Sequence, residues 1–138
     1  MHGHSRKKNV FIYGPQYPLS SEKYCRTRIL AKLLSEETEM FRYHSSMFKY
    51  EHLKRKTARI VLSRECNITN CYTLEASFHG HFDQDRINYE FTETSYQEMG
   101  KYLVTSIFEY MSLLEEENKF KRAREAEKKR KRIEKAAA

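Results

Sequence analysis

Two stretches decide how this chain reads: His2-Gly3-His4-Ser5-Arg6-Lys7-Lys8-Asn9 and, much further on, Tyr72-Thr73-Leu74-Glu75. The first offers a metal-type imidazole at the mouth of a strand. That strand is Asn9-Val10-Phe11-Ile12-Tyr13-Gly14, a short apolar run closed by Gly14-Pro15. The second stretch puts a carboxylate inside Cys71–Phe78, an apolar candidate strand. A lone carboxylate there is costly unless paired or protonated. Such positions are where shifted pKa values and general-base work are found. The alternative for Glu75 is an edge-strand glutamate facing water. A neutral imidazole can hold a metal, and a carboxylate can take a proton from metal-bound water. No HxxE pair occurs in the 138 residues, so the first stretch carries one metal-ligand candidate without the others.

Outward from these stretches, Glu22–Glu37 places Cys25, Ile29, Leu30, Leu33 and Leu34 at helical spacing and predicts an amphipathic helix. Phe41–Tyr50 alternates loosely and fits an extended segment; Glu51–Lys56 is charged loop. Thr57–Glu65 is ambiguous: its β-branched run suggests a strand, and Thr57 as an N-cap suggests a short helix. Residues 79–93 read as loop or irregular structure. Ser95-Tyr96-Gln97-Glu98 matches a capping box. Behind it Met99, Tyr102, Leu103, Ile107, Tyr110 and Leu114 fall on one helical stripe. Nothing after Gly100 is Gly or Pro, so this helix is expected to run on into the tail.

The length suits one core, at about 100–200 residues per domain, and 10 Tyr and 8 Phe can fill it. Three cysteines, Cys25, Cys66 and Cys71, with no CxxC, point to reduced thiols in a cytoplasmic setting rather than a disulfide framework. No apolar run approaches the roughly 20 residues of a membrane span, and no secretory signal precedes His2. The expectation is an intracellular protein with no membrane partner. The net charge of +7 belongs to residues 119–135, which hold ten basic and three acidic residues; the rest is balanced. That tail is either a basic helix for an acidic partner or a solvated helix with none. It lacks the interleaved aromatics of a nucleic-acid platform.

HGHSRKKNVFIYG (2–14), TARIVLSRE (57–65) and CYTLEASFHG (71–80), in that order, resemble the catalytic domain of the cytosolic carboxypeptidases. These are zinc metallocarboxypeptidases related to pancreatic carboxypeptidase A. The resemblance covers about residues 2–112 and omits the basic tail. It implies that residues 1–112 are the carboxyl-terminal half of such a domain and residues 113–138 a basic helical tail. The implied fold is α/β: part of a mixed, mostly parallel sheet flanked by helices, with a long basic C-terminal helix. The family holds Zn2+ with an HxxE pair and one further histidine, which the resemblance puts at His2. It puts the general base at Glu75 and makes TARIVLSRE a short helix lining the pocket for the substrate's last side chain.

Arg59, and more weakly Arg64, then recognise an acidic terminal residue, with His4 as a further pocket residue; the alternative for each is simple solvation. Arg6-Lys7-Lys8 could attract an acidic peptide. Tyr72 reads as core, and His79 and His81 as solvated loop histidines. Active members of the family remove glutamates from carboxyl-terminal or side-chain polyglutamate. The implied partners are acidic polypeptide tails, tubulin or microtubules among them, in a cytoplasmic, cytoskeleton-associated setting; nucleic acid is not expected. The missing HxxE pair, and the missing upstream arginine and asparagine, imply that these 138 residues alone are inactive and bind zinc poorly. The rival reading is a non-catalytic module that binds acidic tails or nucleic acid through the basic helix.

Overall fold

The computed structural model describes residues 2–4 and 6–137, with the side chains of all but the outermost two of these. Five strands and three α-helices follow in the order β1 (His2–His4), β2 (Val10–Tyr13), α1 (Glu22–Glu37), α2 (Ala58–Glu65), β3 (Thr73–Ser77), β4 (Gly80–Phe82), β5 (Asn88–Glu90) and α3 (Glu93–Ala137). Short 3-10 turns at Tyr43–Ser45 and His52–Lys54 link α1 to α2. β3 is the middle strand of a three-stranded sheet, parallel to β1 and antiparallel to β2. This is the expected α/β architecture: a mixed sheet, flanking helices and a long C-terminal helix. The outer edge of β2 is extended by the segment after α1. Val10 N–H donates to Met40 O at 2.7 Å, and Met47 N–H to Ile12 O at 2.9 Å.

Strand alternation gives the sheet two distinct faces. Val10, Ile12 and Ala76 join Ala31 and Leu34 of α1, Met99 of α3, and Met40 and Phe41 in one buried cluster, with Leu74 packed against it. Fully burying a side chain of this size is worth about 1.5–3 kcal/mol, so this helix-side face holds the strands in place. Phe11, Tyr13, Thr73 and Glu75 belong to the opposite face, next to α2.

α1 forms with the predicted bounds. Ser21 caps it, accepting from Lys23 N–H at 3.3 Å, and it ends where Thr38 turns extended. Thr57–Glu65 resolves to helix, because Arg59, Ile60 and Ser63 are buried together at helical spacing. The Thr57 hydroxyl donates to Lys54 O at 2.8 Å instead of capping that helix.

Three readings need correction. Residues 79–93 are not irregular: β4 and β5 form a hairpin, with Gly80 opposite Glu90. Gly80 has φ +147°, and a Cβ there would fall 1.9 Å from Tyr89 O. α3 starts before the predicted box. Thr92 is its cap: Ser95 N–H donates to Thr92 Oγ1 and Thr92 N–H to Ser95 Oγ, both at 3.2 Å. Ile107 is exposed, and Ser106 takes its place on the buried face with Met99 and Tyr110.

Candidate active site

The site grows from the central strand. Glu75 is 8 % exposed, with His2 as its partner across the parallel ladder and Phe11 across the antiparallel one. The His2 ligand assignment concerns a side chain outside those described. One row along, Thr73 pairs with Tyr13. Arg59 of α2 reaches this row. Its Nη1 donates to Thr73 Oγ1 at 3.4 Å, and its Cζ lies 5.3 Å from the Tyr13 ring centroid. Arg59 is itself only 8 % exposed, and its Nε is buried without a hydrogen-bond partner. No ion pair joins Arg59 to a carboxylate among the described residues.

Two lysines share the same rings. Lys54 Nζ lies 4.8 Å from the Tyr13 centroid, and Lys7 Nζ lies 4.8 Å from Phe11 and 6.0 Å from Tyr13. Phe11 and Tyr13 meet edge-on at 5.5 Å. The negative ring faces attract cations, by about 0.5–2 kcal/mol each depending on solvent access. A buried carboxylate thus sits beside two aromatic rings that carry three cationic groups. Lys54 also pairs with Glu51 at 3.1 Å. Sequence reading missed Phe11, Tyr13 and Lys54 as site residues. The available signal was the two-residue spacing of the rings on β2.

His4 has a definite task. Its Nδ1 accepts from Arg6 N–H at 3.1 Å and Lys7 N–H at 3.0 Å, so the neutral ring carries its proton on Nε2. Its ring also meets Phe11 edge-on at 5.4 Å. His4 therefore shapes the turn that brings Lys7 over Phe11. Of the basic triplet, Arg6 is exposed, and Lys8 lies over Phe82, 4.5 Å from its centroid.

Arg64 stands apart. It is exposed and lines another cleft with Tyr17, Lys23, Ser63 and Asn67, and neither Arg59 nor Glu75 lines that cleft. Tyr72 is packed against both buried clusters and donates to Thr27 O at 2.9 Å; burial pushes its phenol well up. His79 is exposed. His81 is not a solvated loop residue: it stacks on Tyr89 and Phe91, each at 5.3 Å, and burial lowers its pKa.

Among the described residues no group of three or more His, Cys, Asp or Glu side chains could hold a metal ion. A catalytic zinc takes three protein ligands and leaves a position open. The described side chains by themselves therefore do not make a metal centre.

No protein-family model matches the chain. Among curated proteins it is 35 % identical over 100 residues to cytosolic carboxypeptidase 2 of Danio rerio, across 72 % of this chain. It is 31 % identical over 115 residues to cytosolic carboxypeptidase 6 of Homo sapiens, across 82 % of this chain. The chain belongs to the cytosolic carboxypeptidase family. It spans only 14 % and 23 % of the length of these two cytosolic carboxypeptidases. A solved metallo-carboxypeptidase from Burkholderia cenocepacia matches 81 % of this chain and 30 % of its own, with a TM-score of 0.62. At 13 % identity that likeness carries the fold alone. No helix among the described residues is long and apolar enough to cross a membrane.

Proposed function

We propose that this segment supplies the general base and the acid-recognising side of a metallocarboxypeptidase site, one that removes glutamate from acidic polypeptide tails such as those of tubulin. The supporting observation is that two buried charged residues, Glu75 on β3 and Arg59 on α2, stand on the same side of the sheet. Arg59 reaches Thr73, two residues and about 7 Å along the strand from Glu75. Glu75 accepts the proton of the attacking water. Arg59 binds the carboxylate of the terminal side chain, for which a planar guanidinium is suited. Lys54 and Lys7 add positive potential beside it. The metal, Zn2+ by family, is held in this reading by His2 together with ligands from outside these 138 residues. The setting is the cytoplasm, as the relatives' names suggest.

The test is Glu75→Gln in an active protein that contains this segment. The amide keeps the shape and cannot take the proton. Activity on a glutamate-ended peptide should fall at least about 100-fold, with metal content unchanged. Turnover near that of the unsubstituted protein would sink the assignment.

A further inference from the structure

α3 outlasts the body it packs on. It runs antiparallel to α1, and its last ties are ionic. Glu117 pairs with Arg26 at 3.2 Å and with Lys121 at 2.7 Å, and Lys121 reaches Glu22 at 3.5 Å. From Arg122 to Glu134 every side chain is exposed. The site on the sheet uses none of this arm.

At about 100° per residue, Lys121, Arg124, Lys128, Lys131, Arg132 and Lys135 fall within an arc of roughly 100° and span about 21 Å of helix. Between Lys121 and Lys135 no acidic residue lies in that arc, although Lys121 is paired with Glu117 one turn before it and Lys131 with Glu127 at its margin. Glu125 borders it on one side, and Glu127 and Glu134 on the other. The remaining cations, Lys119, Arg122, Lys129 and Arg130, lie around the back. The arm is therefore a single cationic stripe with acidic margins.

We propose that this stripe is a docking site for an extended acidic polypeptide. Three partners fit a row of cations, and the margins choose between them. A duplex groove wraps a helix from both sides, so its phosphates would meet Glu125 on one flank and Glu127 and Glu134 on the other. A single nucleic-acid strand would touch the stripe alone, but such binding draws on aromatic stacking, and the stripe has no aromatic. An extended peptide also touches only the stripe. Its alternate side chains recur about every 7 Å, close to the cation steps of about 4.5–6 Å, and long Lys and Arg stems absorb the difference. The site does not depend on the hydrolytic reading, and it operates with or without metal.

The test uses the full chain and a fluorescent peptide of twelve glutamates, followed by anisotropy in rising salt. One variant carries Arg124→Gln, Lys128→Gln and Lys135→Gln on the stripe; the other carries Lys119→Gln, Arg122→Gln and Lys129→Gln behind it. Both remove three charges, and none of the six side chains is in an ion pair among the described residues. Glutamine keeps helix propensity close to that of lysine and arginine, and circular dichroism checks the helix. The stripe variant should lose at least tenfold in affinity, and the control less than threefold. Equal losses would show that net charge alone binds, and overturn the stripe. A single-stranded or duplex oligonucleotide of matched charge that binds tighter than the peptide would overturn the choice of partner. No measurable peptide binding near physiological salt would overturn the site altogether.

Discussion

His2 and Glu75 are register partners in the parallel β1–β3 ladder, and Phe11 of β2 completes the row. Two stretches far apart in sequence are brought to one level of one sheet. The register is held from both sides, because β3 is the central strand. A slip by one residue would carry Glu75 to the helix-side face and Ala76 away from it. The cluster of Val10, Ile12, Ala76 and Met99 therefore fixes where the carboxylate stands.

Arg59 should set preference for an acidic terminal residue. Its guanidinium is buried beside Thr73 and Tyr13, with Nε unpartnered. In an active protein, Arg59→Ala should weaken cleavage of a peptide ending in Glu more than one ending in Leu, by the roughly 1.5–3 kcal/mol of a charge-assisted hydrogen bond. Paired kcat/KM measurements decide it. An equal fall on both peptides would place Arg59 outside the specificity pocket.

Asn9 should prove a structural hub. It is 1 % exposed with φ +67°. Its Nδ2 donates to Glu39 O at 3.1 Å and Phe82 O at 3.2 Å, and its Oδ1 accepts from Phe82 N–H at 3.3 Å. Asn9→Ala strands these backbone groups and keeps the left-handed φ, an expected loss of about 2–4 kcal/mol by urea unfolding. Asn9→Gly tolerates the φ and should lose less. Equal losses would show that the backbone conformation adds nothing to the cost.

These residues also show what the sequence made legible. α1 was readable because five apolar residues recur at one helical spacing, and β2 because an apolar run meets Gly14-Pro15. The β4–β5 hairpin was not: its strands are three residues each, β5 lies on the exposed side, and Asn9 ties β4 down through tertiary contacts. The box at Ser95 misplaced the start of α3 by one turn, because the reciprocal hydrogen bonds between Thr92 and Ser95 that set the cap do not follow from residue spacing. Glu75 stood out as a carboxylate on an apolar strand. The cations gathered over Phe11 and Tyr13 did not, because their meeting depends on loop placement that spacing does not encode.

Zinc affinity should follow the donor count. In the proposed reading His2 is the one ligand that these 138 residues supply, and a catalytic site needs three. The 138-residue chain, dialysed after zinc loading, should retain well under one equivalent, as read by metal analysis. Stoichiometric, tightly held zinc would show that the chain itself completes a donor set.

His81 should make the β4–β5 hairpin sensitive to acid. Its ring stacks on Tyr89 and Phe91, and its Nδ1 is buried without a partner. Burial lowers its pKa below the ordinary 6.5, while Glu39 and Asp83 pull the other way. Below 6.5 the unfolded chain binds a proton at this ring that the folded chain resists. Stability therefore falls as pH drops from the ordinary value toward the lower folded one, and is unaffected by this group well above it. His81→Phe keeps the stacking and removes the proton site. Going from about pH 7.5 to about pH 5.5, the melting temperature of the unsubstituted protein should drop further than that of the variant. Parallel drops would show that the acid sensitivity does not come from His81.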